Sequence, residues 1–372
     1  MSKTTAKRPD SSDYRALFVN GVPLLDVRAP AEFAKGAFPG AVNLPLMTDK
    51  EREAVGITYK EMGQDAAIAI GHGLVGGGVK AGRVAGWAEF AAAHPEGYLY
   101  CMRGGLRSQI SREWLQEAGT AYPLVSGGYK ALRRFLIEET ERLAAAENFV
   151  VVAGRTGVGK TVFLGQVAKS LDLEGLAHHR GSSFGRRLGD QPSQINFENS
   201  LAVRLMQIAD RLPGPIFIED ESHHIGQVAL PQAILERITI WPALMIEEPI
   251  ESRISEIHKD YVTDMLPGYE QAYPVDGFEQ FGGFLLNALA RIRKRLGGVR
   301  YAEIEALMRT ALADQERTGD NSLHREWISA LLTSYYDPMY DYQLSKSTRQ
   351  VVFTGTRSEA LEWQQEQLAR AK

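Results

Sequence analysis

Phe149-Val150-Val151-Val152-Ala153-Gly154-Arg155-Thr156-Gly157-Val158-Gly159-Lys160-Thr161 decides the fold of the second half of this 372-residue chain. Its first five residues are apolar and mostly β-branched, the composition of a strand buried on both faces. The next eight match Gly-x-x-x-x-Gly-Lys-Thr, a phosphate-binding loop when a strand precedes it and a helix follows. The glycines let backbone amides wrap a phosphate, Lys160 adds a compact positive charge, and Thr161 offers a hydroxyl to Mg²⁺. Gly154, Arg155, Thr156, Gly157, Val158, Gly159, Lys160 and Thr161 are therefore the expected diphosphate or nucleotide site. An amphipathic helix is expected from Thr161 to about Leu171.

Such a loop needs a neighbouring strand that ends in a carboxylate. Pro215-Ile216-Phe217-Ile218-Glu219-Asp220-Glu221 is the preferred candidate, and Leu244-Met245-Ile246-Glu247-Glu248 competes with it. Which of Glu219, Asp220 and Glu221 points inward depends on the pleat, which the sequence leaves open. One helix beyond the phosphate loop lies His178-His179-Arg180-Gly181-Ser182-Ser183-Phe184-Gly185-Arg186-Arg187. Its cations and glycines suit an anion or nucleic-acid contact, with His179, Arg180 and Ser182 as substrate candidates. Adjacent histidines without a cysteine argue against a metal site there. A helix from Phe284 to Leu296 carries Arg291, Arg293, Lys294 and Arg295 at its end. With Arg186 and Arg187 these are the candidate tRNA backbone contacts. Tyr335, Tyr336, Tyr340 and Tyr342 are expected mainly to pack, and Val351–Gly355 with Ser358–Arg370 to close the second sheet.

Upstream, Tyr98-Leu99-Tyr100-Cys101-Met102-Arg103-Gly104-Gly105-Leu106-Arg107-Ser108 holds the chain's single cysteine. A short strand leads into a glycine loop and then a helical period at Ile110 and Trp114. Inward amides, the helix N-terminus, Arg103 and Arg107 would all favour a thiolate at Cys101. One cysteine excludes an internal disulfide or a cysteine-cluster zinc site, and leaves no resolving thiol. No stretch approaches the roughly 20 apolar residues that span a bilayer, and the first residues lack an apolar core. A cytoplasmic protein with no membrane partner is expected. The formal net charge of −4 gives no overall attraction for nucleic acid, so any tRNA requires a local basic surface.

Val22–Arg28, ending in Asp26 and Arg28, reads as a buried strand. Gly36–Pro45 is a Gly/Pro-punctuated loop, and Val125–Leu132 carries paired glycines. Followed in order with the cysteine loop, these signals resemble the rhodanese domain over roughly the first 140 residues. The resemblance implies that Cys101 carries a persulfide or related chalcogen, with Gly104 and Arg107 at the family's loop positions, Arg103 and Gly105 between, and Asp26 with Arg28 bracing the loop. Met47–Trp87 departs from a minimal domain as an Ala/Gly-rich insertion. Gly71-His72-Gly73-Leu74-Val75-Gly76 within it matches a dinucleotide pattern, but no βαβ unit frames it. Trp87 and Phe90 read as core on a helix from Ala85 to Ala93.

The expected architecture is α/β: a rhodanese-like parallel-sheet domain over 1–140 with the insertion 47–87, then a P-loop NTPase-like α/β domain over 141–372 with a helical C-terminal part. The cysteine loop, phosphate loop, His-Arg-Gly-Ser segment and Glu-Asp-Glu-Ser run together resemble the tRNA 2-selenouridine synthase family over nearly the whole chain. Met102 departs from the aromatic residue expected in that family's loop. The resemblance implies a bacterial transferase acting on tRNA with 2-thiouridine at the wobble position. Its co-substrates would be selenophosphate, drawn from a selenophosphate supplier, and geranyl diphosphate, with an S-geranyl intermediate. Two other readings are an ATP-dependent rhodanese-type sulfurtransferase acting on RNA or a carrier protein, and a nucleotide-switched binding module.

Overall fold

A computed structural model of the protein describes residues 8–370. Most of the polar start read from the sequence, residues 1–7, lies outside them. The fold is mixed α/β with parallel sheets in two compact units: residues up to Leu143 with Ser193–Asp210, and Ala144–Pro192 with the chain from Arg211 onward.

In the first unit, β1 (Leu24–Asp26), β2 (Val42–Asn43) and β3 (Tyr98–Tyr100) form a parallel sheet in the order β2-β1-β3. Register pairs Leu25 with both Val42 and Leu99. Parallel bridges from Leu99 to Leu124 and from Val125 to Ser11 continue the pattern. Leu25, Val27 and Leu99 supply the sheet's side of a core completed by Trp87, Trp114 and Leu115. The insertion is three helices, Asp49–Met62, Gln64–Leu74 and Gly77–Ala93. The first starts at a reciprocal cap, in which Thr48 Oγ1 accepts from Glu51 N–H and the Glu51 carboxylate accepts from Thr48 N–H. Gly71 and Gly73 lie inside the second helix with no strand before them, so they form no dinucleotide turn. The third starts earlier than Ala85, and its Trp87 is fully buried with the indole donating to Leu44 O at 2.9 Å.

Ser193–Asp210 groups with this unit through polar contacts on helix Gln194–Arg211. Asn196 accepts from Ala37 N–H, while Asn199 donates to Ala37 O and accepts from Arg133.

The second unit holds β4 (Phe149–Ala153), β5 (Ser170–Leu171), β6 (Ile216–Glu219), a small hairpin of β7 (His224–Ile225) and β8 (Val228–Ala229), then β9 (Ala243–Ile246) and β10 (Val351–Gly355). All but the hairpin join one parallel sheet in the order β10-β9-β4-β6-β5. β4 is central and buried along its length, as its β-branched run requires. One face of the sheet presents Val150, Val152, Phe217, Leu244 and Ile246 to Phe163, Leu164 and Ala360. The alternate residues Ala153, Ala243 and Met245 form a separate, smaller cluster with Tyr340.

The helix after the phosphate loop runs only from Lys160 to Gln166, not to Leu171. Pairing of Ser170 and Leu171 with Phe217 and Ile218 overrides the helical period, and Ser170 Oγ satisfies Leu164 O at the helix end. A helical core built on Gly277–Leu296, Gly298–Thr318 and His324–Leu331 buries Phe281, Leu285, Leu289, Met308 and Trp327. Its first helix begins at Gly277 instead of Phe284, because Phe281 is already a core residue and Gly277 permits close approach to Glu270. Helix Arg357–Arg370 ends the described chain. Among the described residues, no helix is long and apolar enough to cross a membrane.

Candidate active site

β4 delivers its last residue, Ala153, directly to the turn Gly154–Lys160. Gly154 (φ +148°), Gly157 (φ +85°) and Gly159 (φ +79°) adopt conformations that side chains disfavour. A Cβ at Gly157 would also press within 2.8 Å of Ile257 and 2.9 Å of Arg253 O. Arg253, 3% exposed, fixes the turn from behind: its Nε donates to Thr156 O at 2.9 Å while its two terminal nitrogens grip Asp337. Val158 is buried beneath the loop. Lys160 Nζ donates to Gly154 O at 3.0 Å, holding the ammonium across the loop's mouth. Arg155 pairs with Asp341 at 2.7 Å, an exposed contact that leaves its guanidinium at the rim. The loop opens into a cavity of about 1210 Å³ lined wholly by residues of this unit.

The pleat settles which acidic residue turns inward. Glu219, paired with Val152 across the sheet, is 1% exposed and accepts from Thr161 Oγ1 at 3.1 Å. Asp220 instead pairs with Arg349 at 2.7 Å. β9, the competing strand, lies on the other side of β4. Glu174 was missed by sequence reasoning. It stands 3.3 Å from Thr161 Oγ1, and its N–H donates to the other Glu219 oxygen at 2.8 Å. The only signal for it was an acidic Asp-x-Glu at a strand end, ordinarily a solvated turn. Burial, then the nearby Glu174 and Asp172, push the Glu219 carboxyl up to about 8. Burial and the charges of Glu174 and Glu219 hold Glu221 well above the usual carboxylate range.

The segment 178–187 closes on itself as a tight loop. Arg180 N–H donates to Gly185 O at 2.8 Å, and His179 bridges Arg186. A Cβ on Gly185 would overlap Arg180 O at 1.3 Å, so no other residue fits that turn. Gly181 N–H donates to Glu174, linking this loop to Thr161 through one carboxylate. Ser182 Oγ lies 3.1 Å from Tyr261 OH, and the Arg180 guanidinium stands 5.0 Å over the Tyr261 ring. His179 is held below its ordinary pKa by burial and then by Arg291.

Of the six candidate tRNA-contact residues all but Arg187 are exposed, and the charge of Arg186 acts on Arg291. Arg187 and Arg295 line the cavity, Arg291 donates to Ser183 O at 2.6 Å, and Arg293 stacks on Tyr301 at 4.9 Å. Arg186 and Lys294 are exposed. Of the tail tyrosines, Tyr336 bonds Ser183 and Tyr340 donates to the Met245 sulfur, whereas Tyr342 is exposed.

In the first unit, Cys101 follows β3 and stands before helix Leu106–Glu117. Its thiol is 3% exposed and donates to Ser108 Oγ at 3.2 Å, while Ser108 Oγ donates to Gly105 O at 2.9 Å. Gly104 (φ +67°) packs against Gly127, and a Cβ on Gly128 would strike Cys101 O at 2.3 Å, so the paired glycines at 127–128 seat the cysteine loop. The two expected arginines differ from their assignment beside the sulfur: the Arg107 guanidinium forms an ion pair with Glu32 at 2.6 Å, and Arg103 is exposed. Asp26 and Arg28 are fully buried partners. Arg28 also donates to Gly36 O and lies 3.8 Å over the Tyr129 ring, and Tyr129 N–H donates to Cys101 O.

Comparison with known proteins covers both loops. The family model described as the tRNA 2-selenouridine synthase AAA domain matches residues 147–371. The chain is 52% identical over 359 residues to the tRNA 2-selenouridine synthase of Marinobacter nauticus, spanning 96% of this chain and 98% of that protein. It is 50% identical to the Cupriavidus pinatubonensis protein of the same name, over 98% of this chain and all of that one. With the Hahella chejuensis protein of that name it shares 51% identity over 93% and 92% of the two chains.

Proposed function

The chain belongs to the tRNA 2-selenouridine synthase family, and from that premise we propose that it replaces the sulfur of wobble 2-thiouridine in cytoplasmic tRNA by selenium from selenophosphate, through an S-geranyl intermediate. It is a tRNA-modifying enzyme, in line with a transferase. The observation that carries the two-step reading is the pairing of a phosphate loop that opens on a large cavity with a separate glycine-seated thiol.

In the first step the thiocarbonyl sulfur attacks the allylic carbon of geranyl diphosphate. A C–S bond forms, the C–O bond breaks, and the diphosphate leaves with the electron pair. Lys160 and the amides of Gly157–Thr161 stabilise that departing charge. Thr161 and Glu219 fit a Mg²⁺ that is completed by diphosphate oxygens, the usual manner of Mg²⁺ binding at phosphates. Bound there, the ion would supply charge neutralisation at the leaving group. Acidic side chains already crowd this end of the cavity, and burial with the charges of Glu174 and Glu219 holds Glu221 well above the usual carboxylate range.

The alkylated sulfur is a better leaving group than the thiocarbonyl. In the second step geranyl thiol departs from the base carbon, the selenium of selenophosphate bonds to that carbon, and water cleaves the Se–P bond to release phosphate. Cys101 serves that step as the nucleophile, in a rhodanese-like domain: its sulfur bonds to the base carbon as the C–S bond to geranyl thiol breaks, and selenium then displaces the cysteine sulfur. The test is mass spectrometry of nucleosides from 2-thiouridine tRNA incubated with the protein, geranyl diphosphate and selenophosphate. Loss of 2-thiouridine to geranylated and then selenated products is expected. Unchanged 2-thiouridine, or a product that forms equally without geranyl diphosphate, overturns the scheme.

A further inference from the structure

The two faces of the second unit's sheet are built differently. On one, β4 and β9 contribute Val150, Val152, Leu244 and Ile246, and large side chains from the flanking helices fill the space. On the other, Ala153, Ala243 and Met245 form a small cluster on which Tyr340 packs. Alternation along a strand puts Phe149 and Val151 on this face too, so the narrowing is local to Ala153 and Ala243. Interiors are normally close-packed, and here the small side chains leave a trough.

The trough is part of the cavity onto which the phosphate loop opens, because Ala153, Ala243 and Met245 line it with Gly154–Thr161. Its further wall carries Leu235 and Ile238 from helix Gln232–Ile238, Met339 and Leu344 from helix Asp337–Ser345, and Val351 from β10, with Thr239, Gln343 and Arg349 between them. Met339, Leu344 and Val351 are exposed at 36%, 41% and 47%. Large apolar side chains turned to a cavity are the usual lining of a small-molecule site, with few polar groups to fix orientation. At about 1210 Å³ the space exceeds what a diphosphate fills.

We infer that this trough, floored by Ala153, Ala243 and Met245 and walled by Met339, Leu344 and Val351, receives the hydrocarbon part of the substrate whose diphosphate sits on Lys160, and sets its chain length. The inference rests on the reading that a diphosphate ester occupies the phosphate loop. A chain entering from that loop runs over the alanine floor beside Tyr340, whose hydroxyl is turned to the Met245 sulfur at 3.1 Å and so presents its ring. Each buried methylene strengthens binding until the trough is full, after which added carbons project into solvent.

Isothermal titration of the full chain with inorganic pyrophosphate and with five-, ten- and fifteen-carbon prenyl diphosphates tests this. Affinity is expected to rise at least about 30-fold from pyrophosphate to the ten-carbon ester. In Met339→Gln and Leu344→Gln, both at exposed positions, that gain is expected to fall to about 3-fold or less, with an unchanged circular dichroism spectrum as the control for folding. No gain with chain length in the wild type overturns the inference while leaving the diphosphate reading intact. A gain that survives both substitutions overturns the assignment of this wall. Pyrophosphate binding indifferent to Lys160→Ala overturns the reading beneath it, and the inference with it.

Discussion

The cysteine loop and the phosphate loop are the same device in outline: a parallel strand, a turn of glycines at positive φ, and a helix that starts where the turn ends. They differ in what the turn faces. After β4 the turn faces a cavity, its lysine spans the mouth, and a buried arginine holds it from behind. After β3 the turn closes over its own sulfur, which is 3% exposed and bonded to a serine on the following helix. An anion-binding turn needs open amides, whereas a soft nucleophile needs a fixed rotamer and shelter. The same backbone solution serves both, and side-chain placement separates them.

Four substitutions would break or sharpen that contrast. Cys101→Ala is expected to abolish selenation while leaving geranyl transfer at the wild-type rate, read by nucleoside mass spectrometry; loss of both would join the loops in one step. Lys160→Ala is expected to slow geranyl transfer by about 10²–10³-fold, the usual effect of removing one donor to a developing anion. Asp337→Ala leaves Arg253 buried without its carboxylate. It should cost about 3–5 kcal/mol, seen as a lower midpoint in denaturant, with the phosphate loop the first part to lose ligand binding. Ser108→Ala removes the hydroxyl on the Cys101 sulfur. A change of about 5-fold in the rate of thiol alkylation and of selenation is expected, with geranyl transfer untouched. An unaltered alkylation rate would assign that hydrogen bond to packing alone.

How much of this was legible in the sequence depended on whether the residues were neighbours in it. The phosphate loop and β4 are one contiguous run, so their form and position could be read directly. So could the strand at Ile216–Glu219 and the closing pair of β10 and its helix. Choosing Glu219 over Asp220 needed the register of β6 against β4, which a run of three acids does not encode. Glu174 and Arg253 meet the loop across 13 and 97 positions of chain, and Asp337 holds Arg253 from 84 positions away, and no local period marks them. The helix that stops at Gln166 shows tertiary pairing prevailing over local propensity. Arg107 looked like a partner for the sulfur because only its own segment was in view; Glu32, which takes its charge, lies 75 positions away. The basic residues near 186 and 291 were found, but their division between loop, cavity and neighbouring helix is a matter of packing.

In the proposed scheme the two loops serve successive steps. The most direct measurement is selenation by Lys160→Ala of tRNA that already carries S-geranyl-2-thiouridine, with selenophosphate supplied and 2-selenouridine quantified by mass spectrometry. The account predicts a rate close to wild type on that substrate and almost none on 2-thiouridine tRNA. A variant equally inactive on both would contradict it.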